Sequence, residues 1–136
     1  MITVVSDAGP LIALFLRRDA DHKLVRAHLR DSEARLISTW PVVTEAWHLM
    51  HVDQRLSMMR WIKAGGASIL KFDEDTSTRL VALLEKHRDL PMDLADASLV
   101  LLAGKTGIHQ ILTLDRRDFL TSRLPGNKRF DLVLDR

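Results

Sequence analysis

Cysteine and tyrosine are both missing from this 136-residue chain. Without cysteine there is no disulfide framework and no thiolate metal site, which fits a reducing compartment. No apolar run comes near the roughly 20 residues needed to cross a bilayer. The opening stretch, "MITVVSDAGPLIALFLRRD", has no basic segment ahead of its apolar residues, and Asp7 and Pro10 interrupt them. No secretion signal is expected, and the chain reads as a soluble, cytoplasmic protein with no membrane partner. Phosphate-loop, dinucleotide, nucleophile-elbow and zinc-peptidase motifs (GxxxxGKS/T, GxGxxG, GxSxG, HExxH) are absent too, which sets those chemistries aside. Six histidines form no zinc set: His48 and His51 are three apart and fall on the exposed face of their helix.

What is there is ordinary globular material, 46% hydrophobic and 28% charged, enough for one domain over residues 1–136 with a real core. The pI of about 9.3 overstates the basicity. Formal net charge is only +2, and without cysteine or tyrosine little titrates between histidine and lysine. Placement says more than the total, because Arg116, Arg117, Arg123, Lys128, Arg129 and Arg136 crowd the last fifth. Such a cluster permits contact with phosphates but does not indicate it.

Along the chain, "ITVV" (2–5) predicts a first strand, "SDAGP" supplies turn and helix-start chemistry, and "LIALFLRR" a helix. A second helix follows a break near Asp19. "ARLIST" (34–39) is the second strand, and Pro41 opens a helix through about Asp53. "RLSMMRWIKA" is helical up to Gly65-Gly66, a stop signal. "ASILKF" (67–72) is the third strand, Asp73 caps a helix to about His87, and an apolar helix follows Pro91. "HQILTL" and "FDLVLD" complete five strands. Strands alternating with helices predict an α/β domain with a mainly parallel sheet, helices on both faces, and a site beyond the carboxyl ends of the strands.

The acidic residues concentrate there. Asp7 and Asp115 each directly follow a strand, so in a parallel sheet they share one rim, and neighbouring strands would make them converge. Taken singly, Asp7 before Gly-Pro is also a good N-cap, and Asp115 a turn starter. Glu45 lies at the edge of an apolar helical face, where the helix dipole would favour it equally. Asp93 is the natural N-cap of the apolar helix. Asp96, one turn on, is harder to explain structurally: a capping box prefers Glu or Gln there, and a carboxylate among apolar neighbours needs a compensating charge. A divalent cation with carboxylate ligands supplies one, and can activate water for attack on a phosphodiester.

In this order, "VVSDAGPLIAL", "VVTEAW" and "DLPMDLADASLVLLAGKTGIHQILTLDRRDF" resemble the PIN-domain ribonucleases, and among them the VapC-type toxins of bacterial and archaeal toxin–antitoxin pairs. The resemblance runs from Ile2 to about Phe119. It implies a three-layer α/β/α fold around a sheet of about five strands. It makes Asp7, Glu45, Asp96 and Asp115 the acidic quartet around Mg²⁺ or Mn²⁺, with Asp93 an auxiliary ligand and Asp118 an outer one. Thr113 matches a hydroxyl position at the rim of such sites, and Arg116 and Arg117 stand where they could steer phosphates. One departure is Ala8, where Ser or Thr is frequent, which removes one contact and no metal ligand. The resemblance further implies RNA as substrate, often tRNA, an antitoxin that occupies the active-site groove, and a homodimer.

The expected activity is therefore metal-dependent endoribonuclease cleavage. Two other readings differ in observable ways. A non-catalytic PIN-like module for RNA or protein would usually have gaps in the acidic set. A receiver-like phosphotransfer domain would want adjacent acids after the first strand, where Asp7 is followed by Ala-Gly-Pro.

Overall fold

The computed structural model describes residues 2–115 and 129–134. In chain order the elements are β1 (Thr3–Ser6), α1 (Ala8–Phe15), α2 (His22–Ser32), β2 (Arg35–Ser38), α3 (Trp40–His48), α4 (Val52–Lys63), β3 (Ala67–Ile69), α5 (Glu74–Lys86), α6 (Leu94–Thr106), β4 (Gln110–Leu112) and β5 (Asp131–Leu132). The five strands form one sheet in the order β3-β2-β1-β4-β5, and every pairing is parallel. Helices cover both faces, giving the expected three-layer α/β/α architecture.

β1 shows why both faces must be covered. Its β-branched residues alternate sides, as strand geometry requires, and both sides are buried. Val5 joins Ile111 of β4 in a cluster with Leu11 of α1, Val42 and Ala46 of α3, Met58 of α4 and Leu99 of α6. Val4 joins Leu36 and Leu112 in a second cluster with Ala13 of α1 and Val25 of α2. The helix α6 is apolar nearly all round because it is nearly all buried: Ala95, Ala97, Leu99, Val100, Leu102 and Ala103 are inside, and α5 lies along it. Gly107, at φ +75°, ends it in the left-handed conformation that favours glycine.

Several boundaries differ from the sequence reading. The helix expected from Pro41 to Asp53 is two helices, broken at residues 49–51. Leu49 N–H and Met50 N–H turn back to Ala46 and Trp47 carbonyls, closing α3. The Gln54 side chain then accepts the His51 N–H at 3.1 Å and starts α4. Met50 is carried into the core by this turn, an anchor that a continuous helix would move. The strands are also shorter than their apolar runs, with β3 ending at Ile69 and β4 at Leu112. Past those points the chain leaves the ladder to build the rim. Gly65-Gly66 does terminate α4. Gly65 sits at φ +96°, and a methyl group on Gly66 would collide with the Trp61 indole.

Leu99 is fully enclosed in the larger cluster. Leu99→Ala is expected to lower unfolding free energy by about 2–5 kcal/mol, read from urea unfolding; a loss under about 1 kcal/mol would remove α6 from the core.

Candidate active site

The chain runs from central β1 outward to β2 and β3, then returns to the other side of β1 as β4. Strand order therefore reverses between β1 and β4, the place where open parallel sheets present a crevice at their carboxyl ends. Asp7 and Asp115 follow these two strands. Asp7 N–H continues the ladder to the Leu112 carbonyl at 3.0 Å, which fixes the backbone at the start of α1.

Asp7 occupies the N-cap position of α1 in extended conformation, yet its side chain makes no cap hydrogen bond. Instead its Oδ2 accepts the hydroxyl of Thr113 at 3.0 Å. That hydroxyl oxygen in turn accepts the Asp115 N–H at 3.0 Å. Thr113 is buried, so one hydroxyl links the carboxylate after β1 to the backbone after β4. Helix capping, the ordinary role of Asp7, does not account for this arrangement, whereas the Asp115 N–H takes part in a short hydroxyl turn after β4. By contrast Asp73 and Asp93 do cap, accepting the Thr76 N–H at 2.9 Å and the Ala95 N–H at 2.8 Å.

α3 and α6 bring further carboxylates to the same rim. Glu45 is exposed on α3. Partial burial, then the charges of Asp93 and Asp7, push its carboxyl above the ordinary range. The carboxylates at the end of β1 and the start of α6 thus act on Glu45 across the rim. Asp96 is half-buried on the first turn of α6, between buried Ala95 and Ala97. It is at the open end of the apolar helix rather than sealed in its middle. Asp115 is exposed. Among the described residues no three Asp, Glu or His side chains are already gathered into a set that could hold a metal ion. The donor chemistry nevertheless suits a hard cation: every candidate supplies oxygen, and Mg²⁺ keeps much of its water shell, so few direct ligands are needed. Arg116, Arg117 and Asp118 lie outside the described residues, as do the other basic residues of the last fifth except Arg129. His48 and His51 are exposed, as expected.

The sequence reading overlooked a buried layer of hydroxyls beneath these acids. Ser6 and Ser38, the last residues of β1 and β2, are buried, and Ser38 Oγ donates to the Ser6 carbonyl at 2.7 Å. Thr39, at the N-cap position of α3, also does not cap. Its hydroxyl meets Ser98 Oγ at 2.6 Å, and Ser98 donates to the Ala95 carbonyl at 2.6 Å. With one hydrogen per hydroxyl, Thr39 is the donor to Ser98. This chain ties the start of the helix carrying Glu45 to the first turn of the helix carrying Asp96. A serine or threonine closing a β-branched run ("VVS", "LIST") was the available signal.

Beside the acids lies an open groove of about 610 Å³ between Trp40, Glu45, His48, Phe72, Asp93 and Leu94.

Comparison with known proteins adds an independent line. A family profile described as PIN domain matches residues 4–122. Ribonuclease VapC26 of Mycobacterium tuberculosis is 28% identical over 134 residues, covering 96% of this chain and 99% of that protein. Among solved structures, the Mycobacterium tuberculosis toxin VapC20, which cleaves the sarcin-ricin loop, superposes with a TM-score of 0.71 at 16% identity, over 82% of this chain and 89% of that one. VapBC2 from Rickettsia felis, bound to a DNA fragment from its promoter, gives 0.65 at 13% identity, over 98% and 100%. At such identities the two structures speak to fold.

The raised Glu45 carboxyl has a pH signature. An acid that titrates higher folded than unfolded adds stability at low pH and loses that contribution as pH rises through its folded range. In EDTA, Glu45→Gln should therefore melt about 1–2 °C higher than wild type at pH 7. The advantage should vanish below about pH 4, where the carboxyl is protonated in both states. A lower Tm for the variant at pH 7 would contradict the crowding of Glu45 by Asp93 and Asp7.

Proposed function

The chain belongs to the PIN-domain family, and on that footing we propose that it is a metal-dependent endoribonuclease, the VapC-type toxin of a toxin–antitoxin pair. The observation that carries the proposal is the diversion of Asp7 from helix capping into a hydrogen bond with Thr113, at the rim where β1 and β4 meet. A residue with ideal capping chemistry has been given other work, and other carboxylates stand near enough to raise Glu45. Full-length similarity to a protein named as a ribonuclease supports the same reading, as does the fold shared with a toxin that cleaves the sarcin-ricin loop.

In this reading Asp7, Asp96 and Asp115 hold Mg²⁺ or Mn²⁺, with Asp93 in an auxiliary role. A cation held there would supply charge to neutralise the phosphate and a more acidic water. The residues of the chain do the rest. Thr113 keeps the Asp7 carboxylate oriented by donating its hydroxyl to Oδ2. Glu45, on the same rim, orients the attacking water or else joins the ligands. The Thr39–Ser98 chain holds α3 and α6 in register, so that Glu45 and Asp96 face one centre. Arg116 and Arg117, next to Asp115 in sequence, draw the anionic substrate toward an anionic pocket.

RNA, including tRNA, is the proposed substrate class, and the proposed partners are an antitoxin and a second copy of the chain. No helix among the described residues is long and apolar enough to cross a membrane, and action in the cytoplasm belongs to the same proposal.

The test is cleavage of structured RNAs in Mn²⁺, Mg²⁺ and EDTA by identically purified wild type and variants. Wild type should cut only with a divalent ion. Asp96→Asn should lose about 100-fold or more, and Thr113→Val, which removes a supporting group, about 10–100-fold. Equal cleavage by wild type and Asp96→Asn would sink the site assignment. Failure of wild type on all RNAs would sink the nuclease.

A further inference from the structure

The groove beside the acids has a composition that the metal chemistry does not require. Aromatic residues are scarce in this chain, three Trp and four Phe, yet Trp40 and Phe72 are 44% and 58% exposed and line the same groove. Glu45 and Asp93 stand in its wall, so whatever fills it lies against the proposed reaction centre. Its volume of about 610 Å³ falls within the roughly 300–1,000 Å³ typical of small-molecule sites and leaves room for a nucleobase.

The carboxylates of Glu45 and Asp93 are the acceptors facing this space, with the His48 ring and the Trp40 indole N–H as its donors. Thr44 has already given its hydroxyl hydrogen to the Trp40 carbonyl at 2.8 Å. Asp93 uses Oδ1 for the Ala95 N–H, which leaves Oδ2 beyond that bond. Two carboxylates against one histidine disfavour a phosphate here, whereas a flat uncharged ring with an N–H edge would be matched on its faces by the aromatics and on its edge by carboxylate oxygen. Carboxylates accept hydrogen bonds from exocyclic amines of nucleobases, and single-stranded RNA is commonly held by stacking its unpaired bases on aromatic side chains.

We infer that the groove of Trp40, Phe72 and Asp93 takes one unpaired RNA base bearing an exocyclic amine, next to the phosphodiester that is cut. This assignment rests on the ribonuclease reading and adds to it a substrate requirement: the RNA must be single-stranded beside the cleaved bond. Trp40 and Phe72 stack on the base, and Asp93 reads its amine.

The experiment measures binding of labelled C10 and U10 RNA decamers, and of a duplex of equal length, to full-length Asp96→Asn protein in Mg²⁺. C10 should bind more tightly than U10 and than the duplex. Adding Trp40→Ala or Phe72→Ala should weaken C10 by about 5–150-fold. Trp47→Ala, an exposed ring outside the groove that lies under Arg55 at 5.1 Å, should stay within about twofold of the parent. Trp40→Phe and Phe72→Tyr should retain binding, and melting curves would separate lost binding from lost fold. Unchanged C10 affinity in folded Trp40→Ala and Phe72→Ala proteins overturns the inference, as does U10 or duplex binding as strong as C10.

Cleavage of the same C10 by wild type in Mn²⁺ separates the two readings. Groove-dependent binding of C10, with no cleavage of C10 or of any structured RNA, removes the nuclease and leaves an RNA-binding groove. Cleavage with the same KM in Trp40→Ala and Phe72→Ala removes the groove and leaves the nuclease.

Discussion

The hydrogen bond from Thr113 Oγ1 to Asp7 Oδ2 spans 106 positions of sequence, and most of what is distinctive at the carboxyl rim follows from it. It can form only if β4 returns to lie beside β1, because only then do the ends of those strands meet. It takes the Asp7 carboxylate away from the first turn of α1. Through the Asp115 N–H it also positions the turn after β4. A hydrogen bond of this kind, with one ionised partner and a buried donor, contributes roughly 1.5–3 kcal/mol. Its larger effect is geometric, since a carboxylate held by a buried hydroxyl cannot rotate away from the crevice.

Beneath the acids, hydroxyls replace hydrocarbon. Ser6, Ser38, Thr39, Ser98 and Thr113 are buried, all near the end of the sheet where carboxylates gather. Each hydroxyl finds a partner, in keeping with the cost of leaving a buried polar group unmatched. Their use is rigidity: short side chains with few rotamers, each bonded to the next element, hold the strand ends and the starts of α3 and α6 as one platform. Thermal stability would be served as well by alanine and valine in several of these positions. Precision of the platform would not.

Much of this was legible in the sequence, for reasons of pattern. β1 announced itself because "ITVV" is β-branched and bounded by turn chemistry, and α6 because a mainly apolar stretch follows the capping Asp93 and ends at Gly107. Asp7 and Asp115 were placed on one rim by their positions just after strands, which parallel pairing then brings together. Less visible was the break at residues 49–51. It depends on where Met50 must reach in the core, a tertiary demand that overrides local helical periodicity. The hydroxyl layer was hidden for a similar reason, since a serine at a strand end looks like the beginning of a loop until its burial is known. Glu45 could be located on its helix, but its raised carboxyl comes partly from Asp93 and Asp7 on other elements.

The return of β4 to β1 also sets an order in time. A chain made from its N-terminus displays Asp7, Glu45 and Asp96 before Thr113 and Asp115 exist, and β1 has only one of its two neighbours until residues 110–112 are present. Local helices and the β1–β2–β3 half can form early, whereas the pairing that closes the crevice joins distant segments and comes late. A chain that stops short of β4 carries Asp7, Glu45 and Asp96 without the Thr113 hydroxyl that holds Asp7.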